Sequence, residues 1–381
     1  MYSIKHKIWS FVSILICSLG FSSCQTSKIV PIEPKKEIKP IEIAILMPMT
    51  GSNSIYGNQY DHLIKMGLKD GLKTDINVTS YDGADEKQIN ASMDRIIERK
   101  TKIILGPLYS ELTRLIAAKA KENDIIIITM SNNPVLADNK LFVFGHAPLK
   151  QLERILDHFL DNDYRNFITL LPSSQNSKTV NTVIQNMAIQ KNASLVHSEF
   201  YLNLPEAISK SVKSVSDNID NLNEMDDSNK KSIIYIADDP KNLNLIFNSI
   251  NKYNLDKKAI IIGDNRIDID YPGNINLTFT GSLNVLNSNV VERAKDFGIN
   301  HLSFMNLVSY DLGHLIARYI GNQFIEERFL MRLNSKEPYV GLSGNIYFID
   351  SIAQRDYDII RKDGEIYTSI SHCEPKTSLK E

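Results

Sequence analysis

The stretch "KIILGPLYSELTRLIAAKAKENDIIIIT", Lys102 to Thr129, decides the fold. "KIIL" is a short apolar run with the β-branched bias of a buried strand. Gly106 permits a tight turn, and Pro107 fixes φ and has no N–H to satisfy. Leu112, Leu115, Ile116 and Ala120 then recur at helical spacing. "DIIIIT" is a second buried strand. A strand, a helix and a strand in this order form a crossover unit, and its two strands lie parallel.

The same alternation extends in both directions. Upstream, "IEIAILM" is a strand, and Tyr60, Leu63, Ile64, Gly67 and Leu68 mark a helix. "INVTSYD" is a strand, and Ile89, Met93, Ile96 and Ile97 mark the next helix. A second series starts near Pro148. It runs through "NFITLLP", "ASLVHSEFY", "KSIIYIA" and "KAIIIG", with helical spacings between them. The polar segment from Ser209 to Lys231 reads as a solvated helix and a variable loop. "NLTFTGSL" is a further strand, and Met305, Val308, Leu312, Leu315, Ile316, Tyr319 and Ile320 form the strongest helix face in the chain. "GNIYFID" and "YDIIRKDGEIY" read as one terminal hairpin turning at Asp363-Gly364. The fold class is α/β, with two successive series of parallel-sheet units.

The chain has 381 residues, enough for two domains or lobes. Composition is that of a globular protein, at 43% hydrophobic and 23% charged residues. The formal net charge of −2 leaves no nucleic-acid footprint. The abundant Lys, Asn and Ile reflect coding bias rather than function.

The N-terminus reads as a targeting segment. Lys5 and Lys7 precede the apolar run "IWSFVSILICSLG", whose 13 residues are too few for a comfortable membrane span. The run ends in "FSSC", which resembles a bacterial lipobox with Cys24 as the lipidated residue; Phe21 departs from the usual Leu. Residues 1–23 are thus expected to be a signal peptide, and residues 24–40 the lipidated Cys and a flexible Pro- and Lys-rich tether. Gln25 after the Cys, rather than Asp, is by resemblance the pattern of outer-membrane sorting. Cys17 would leave with the signal and Cys24 would carry lipid. Cys373 then stands alone, which excludes an intramolecular disulfide framework and a Cys-rich metal site.

Parallel sheets place ligands outside the carboxyl ends of their strands, where helix N-termini present free N–H groups. Each strand-to-helix turn is therefore a candidate site. "MPMTGSNSIYG" offers Thr50 and Ser52 on a small, polar loop, without the Lys of a P-loop. In the opening stretch, Ser110 stands at an N-cap position and can also face a ligand. "TMSNNP" brings Ser131 and Asn133 to the next turn, so two adjacent turns can converge on one anion. In the second series, "IADDPKN" carries Asp239, equally an N-cap before Pro240. "IIGDNRIDID" carries Asp264, either a turn residue or an acid for a ligand ammonium.

Catalytic patterns are absent from the sequence. "GLSGN" at 341–345 is not a nucleophile elbow, no H-E-x-x-H occurs, and the eight His residues are scattered. Neither an enzyme nor a cofactor or metal is expected.

"IAILMPMTGSNSIYG", the opening stretch extended to Ser131, "SYDLGHLIARY" and "GLSGNIYFI" together resemble the type I periplasmic binding proteins of the leucine-binding kind. "LFVFGHAPLKQLERILDHFLDNDYRNFITLLP" is similar to the penicillin-binding protein activators within that superfamily. The resemblance implies two Rossmann-like lobes with parallel sheets and a cleft between them. It places lobe one at 41–147 plus 277–325, lobe two at 148–276 plus 326–370, and a C-terminal tail at 371–381. It implies that Ser110 and Ser131 sit where leucine-type binders hold a carboxylate, with Asn133 near a position usually Thr. Asp239 and Asp264 fall in the turns that hold the ammonium, in surroundings that do not match the family motif. The best-known activators carry an extra N-terminal helical-repeat domain, and here the tether takes that place.

The function implied is a non-catalytic lipoprotein, anchored through Cys24 at the inner face of the outer membrane, that activates or scaffolds a peptidoglycan synthase. The alternative is the solute-binding subunit of an ABC importer, working with a permease on an amino acid or similar small anion.

Overall fold

A computed structural model describes residues 40–225, 231–267 and 273–371. The expected signal peptide, Cys24, the tether to residue 39, Cys373 and all of the tail beyond residue 371 lie outside the described residues.

The chain builds two sheets and changes between them three times. It first lays down β1 (Ile41–Met47), β2 (Ile76–Asp82), β3 (Ile103–Leu105), β4 (Ile126–Thr129) and β5 (Leu141–Val143) in one sheet. It then crosses to a second sheet with β6 (Asn166–Pro172), β7 (Ser194–Tyr201), β8 (Ile233–Ile236), β9 (Ile260–Gly263) and β10 (Leu277–Gly281). It returns to the first for β11 (Tyr339–Val340), β12 (Asn345–Ile349) and β13 (Ile352–Asp356), and ends in the second with β14 (Asp358–Asp363) and β15 (Ile366–Ser371). The spatial orders are β11-β12-β13-β5-β4-β3-β1-β2 and β15-β14-β10-β9-β8-β6-β7. The pairs among β1–β5 and among β6–β10 are parallel, whereas β12–β13 and β14–β15 are antiparallel hairpins.

Sheet membership corrects the expected boundaries. β10 pairs parallel with β9, so residues 277–281 close the second lobe's sheet rather than open the return to the first. β13 pairs with β5 through Ile352 and Val143, so the segment 326–356 belongs to the first lobe. The expected single terminal hairpin is two hairpins, one per sheet. Local periodicity identifies strands; it carries no information about which of two sheets receives them. The last hairpin pairs Asp363 with Ile366, so its two-residue loop is Gly364-Glu365, with Gly364 at φ 64°. This is one residue later than expected, and glycine at the first loop position matches a II′ turn.

Each sheet is covered by helices on both faces, as a parallel sheet requires. In the first lobe, Ile43, Ile45 and Ile128 meet the helices Ser54–Gly71 and Phe304–Ile320, and Ile104 and Ile127 meet Glu86–Glu98 and Ser110–Glu122 on the opposite face. In the second lobe, the helix Pro205–Met225 is not the solvated element expected: Ile208, Val212, Val215 and Ile219 are fully buried. These lie three or four positions apart, so a narrow apolar stripe serves as core within a polar sequence.

Glycines set the closest helix contact. A Cβ at Gly67 would stand 2.1 Å from the Tyr310 carbonyl oxygen, and one at Gly313 would stand 2.0 Å from that of Ile64. The helices Ser54–Gly71 and Phe304–Ile320 therefore touch backbone to backbone.

Candidate functional site

The carboxyl ends of β1, β3 and β4 carry the turns singled out in the sequence, and hydrogen bonds join two of them. Ser110 Oγ lies 2.7 Å from Ser131 Oγ, and Ser131 Oγ accepts from the Asn133 N–H at 3.1 Å. Ser110, Ser131 and Asn133 thus form one polar cluster. Ser110 is not the N-cap, however. Tyr109 holds that position and Ser110 is the first helical residue, so its hydroxyl points across to the next turn. In the first turn the Thr113 hydroxyl donates to the Tyr109 carbonyl at 2.9 Å and meets Thr129 Oγ1 at 2.9 Å, which ties the helix to β4. Asn133 caps the short helix Pro134–Leu136 by accepting from the Val135 N–H. Its side-chain oxygen is spent on the backbone.

Thr50 joins a different group. Its hydroxyl donates to Asp82 Oδ2 at 2.6 Å, while the Met49 and Ala84 N–H groups donate to Asp82 Oδ1. Asp82, at the end of β2, organises the first turn, and sequence reading missed it. Ser52 is exposed on the same loop.

In the second lobe the two acids have different fates. Asp264 is buried, and Arg266 covers both of its carboxylate oxygens at 2.6–2.9 Å. The Arg266 N–H adds a further bond at 2.9 Å. The Asp264 carboxylate is thus paired with a guanidinium two residues away, a contact that helical or strand periodicity does not reveal. Asp239 is the N-cap residue of the helix Pro240–Lys252 by backbone geometry, but its side chain makes no capping bond and is exposed. Its neighbour Asp238 is the buried one. It accepts from Tyr201 Oη at 2.6 Å and from Asn242 Nδ2 at 3.2 Å. Burial, with the Asp238 carboxylate, raises the Tyr201 phenol above its ordinary value.

The crossings between the lobes hold a polar network that no motif indicated. Arg355 is buried on β13 and donates to the Phe144 carbonyl at 2.7 Å and the Gly145 carbonyl at 2.9 Å. Its guanidinium lies over the Phe144 ring, 4.7 Å from the centroid. It thereby ties the first crossing, at Phe144–Pro148, to the third, at Asp356–Asp358. Arg355 Nε also donates to Ser343 Oγ, and Ser343 donates to Asp311 Oδ2 at 2.6 Å. The Leu342 and Ser343 N–H groups complete the ligation of Asp311. Burial pushes the Asp311 carboxyl up to about 6, against the lowering pull of these bonds and of Arg355. One signal was available: in β13 the alternation places Arg355 on the same inward face as Ala353.

His146 sits in the first crossing with its ring 4.3 Å from that of Phe304. Its Nδ1 is buried without a hydrogen-bond partner. Burial, then the positive charge of Arg355, lowers its pKa to about 3; Asp264 opposes this and Arg266 adds to it. The crossing therefore holds a neutral imidazole beside the Asp264–Arg266 pair.

Among the described residues no group of three or more His, Cys, Asp or Glu side chains is placed to hold a metal ion. No helix among them is long and apolar enough to cross a membrane.

Two α/β lobes, three crossings and polar turns at the strand ends define the fold of the type I periplasmic binding proteins. Solved structures agree. A putative branched-chain amino acid ABC transporter protein from Rhodospirillum rubrum matches at a TM-score of 0.68 with 10% identity, over 87% of this chain and 100% of that one. A solute-binding protein from Rhodopseudomonas palustris BisB5, in complex with 3,4-dihydroxybenzoic acid, matches at 0.60 with 15% identity, over 87% and 96%. Full-length LpoA from Haemophilus influenzae matches at 0.59 with 16% identity, over 88% of this chain and 59% of that one. The chain thus spans less than two thirds of LpoA. These similar structures are of binding and regulatory proteins.

By sequence, the chain belongs to the family of Uncharacterized protein RP748 from Rickettsia prowazekii (strain Madrid E), with 59% identity over 372 residues, 97% of this chain and 100% of that protein. No protein-family model matches it.

Proposed function

We propose that the chain is a non-catalytic lipoprotein, anchored through Cys24 at the inner face of the outer membrane, that regulates or scaffolds a peptidoglycan synthase of the penicillin-binding protein class. The observation that carries this reading is the closed Asp264–Arg266 pair. An α-amino-acid site needs an acid for the ammonium. Here the buried acid is paired, and exposed Asp239 lies within the electrostatic reach of the same guanidinium. A fold whose buried strand-end acid is already paired with a guanidinium suits a protein partner better than an α-amino acid. The fold match to LpoA supports the same reading, as does "FSSC" followed by Gln25.

The second reading is a solute-binding subunit that delivers a small anion to an ABC permease. The Ser110–Ser131 pair favours it, because two hydroxyls on adjacent turns can donate to a carboxylate.

Thermal unfolding of the full-length chain against a panel of amino acids and aromatic acids, with capture of a penicillin-binding protein in parallel, separates the two. A ligand at 100 times its Kd stabilises by about 2.7 kcal/mol. Capture with no thermal shift supports the regulatory reading. A shift abolished by Ser110→Ala, with no capture, overturns it. Labelling with a radioactive fatty acid, lost in Cys24→Ser, tests the anchor.

A further inference from the structure

A groove of about 890 Å³ opens where the helix Phe304–Ile320 ends, between the helix Glu326–Leu333 and β11. It is remote from the crossings. Phe304, at the start of the helix, packs on His146, and Arg318 follows 14 positions later, about 21 Å along the axis at 1.5 Å per residue.

Its charge is one-sided. Lys73, Arg318, Arg328 and Arg332 line it, and Glu337 is the one acid among the lining residues. The chain as a whole carries a formal net charge of −2, so the concentration is local. None of the four cations lies within 4.0 Å of a carboxylate, although many other Lys and Arg side chains among the described residues do, as in Lys65–Asp61, Arg266–Asp264 and Arg293–Asp70. Part of the charge has a structural use. Arg332 donates to the Arg318 and Tyr319 carbonyls at 3.2 and 2.9 Å, which offsets the negative end of the helix. Gly321, at φ 67°, leaves room for it: a Cβ there would stand 3.2 Å from the guanidinium. Arg328 donates to the Gln323 carbonyl at 2.6 Å and keeps its charge uncompensated. Lys73 and Arg318 are exposed, and their side chains make neither a hydrogen bond nor an ion pair. With Arg332 assigned to the helix end and Glu337 set against one of the rest, a surplus of about two positive charges faces the groove.

We propose that this groove binds a small polyanion bearing phosphate or carboxylate groups. The volume falls in the range of about 300–1,000 Å³ typical of small-ligand sites. Planar guanidinium forks from Arg318 and Arg328 suit such oxygens in pairs, and the amide of Asn322 adds donors. The inference is independent of the regulatory reading, since no residue of the strand-end turns takes part.

Titration calorimetry of the full-length chain at low ionic strength tests it, with pyrophosphate and citrate as probes and sodium chloride as the control. One or both probes should bind saturably with one site. The double variant Lys73→Glu/Arg318→Glu should weaken binding at least tenfold, with an unchanged circular dichroism spectrum. If charge reversal disturbs folding, Lys73→Gln/Arg318→Gln should give a loss in the same direction. Pyrophosphate alone assigns the groove to phosphate chemistry, and citrate alone to carboxylates. No saturable binding of either probe, or binding unchanged in the folded variants, overturns the proposal. Failure to capture a penicillin-binding protein would leave this result untouched.

Discussion

Ser110 Oγ and Ser131 Oγ meet at 2.7 Å, and through that contact two successive strand-end turns of the first lobe become one polar surface. Ser110 does not cap the helix after β3, because Tyr109 is the N-cap residue and Ser110 the first helical one. Ser131 carries more, since its hydroxyl also receives the Asn133 N–H. Ser131→Ala should therefore cost about 1–2 kcal/mol, and Ser110→Ala about half of that. Urea unfolding of both variants reads the difference. Equal costs would mean that Asn133 finds another acceptor.

Arg355 holds two crossings by donating to the adjacent carbonyls of Phe144 and Gly145. Arg355→Met leaves two buried acceptors unpaired and removes the cation nearest Asp311. The expected loss is about 3 kcal/mol or more. Arg355→Lys should recover only part, because a point charge does not reproduce the planar fork. Equilibrium unfolding monitored separately in each lobe should also show reduced coupling between them in the Met variant.

His146 gives a pH dependence of defined sign. Its folded pKa of about 3 lies below the ordinary value of 6.5, through burial and the charge of Arg355. Between those values the unfolded chain binds the proton and the folded chain does not, so stability is lost as pH falls from about 6.5 towards 3. One such group contributes at most about 1.4 kcal/mol per pH unit. His146→Phe should flatten the curve in that window while preserving the packing on Phe304. Identical slopes for wild type and variant would show that the imidazole protonates freely in the native protein.

Gly313→Ala should be destabilising by about 1–3 kcal/mol or more, since its Cβ would lie 2.0 Å from the Ile64 carbonyl oxygen and 2.8 Å from the Leu68 nitrogen. Gly67→Ala strains the same contact from the other side. The double variant should therefore cost less than the sum of the two, because helices separated once are no longer strained twice. Strict additivity of the melting shifts would mean that the two contacts relax independently.

The turns at Thr50, Ser110, Ser131, Asp239 and Asp264 were legible because Gly, Pro and small polar residues interrupt apolar runs at the end of each strand. The state of their side chains was not. Asp264 and Arg266 are two positions apart in a turn, and only the folded backbone brings the guanidinium over the carboxylate. Asp238 and Asp239 are neighbours of one type, yet one is buried beneath Tyr201 and the other is exposed. Asp82, His146 and Arg355 gave weak signals or none, because key partners are distant in sequence: Thr50 lies 32 positions from Asp82 and Phe144 lies 211 from Arg355.

The sequence alone determined the α/β class, the doubling into two series and the alternation of strands, turns and helices, since apolar period and turn chemistry act over a few residues. Tertiary structure alone decided which sheet receives β10 and β11–β13. A strand pairs with whichever edge the crossings present, and its own residues do not encode that edge. The folded chain likewise decided which acids remain free, because a carboxylate is neutralised by whatever charge the fold sets beside it.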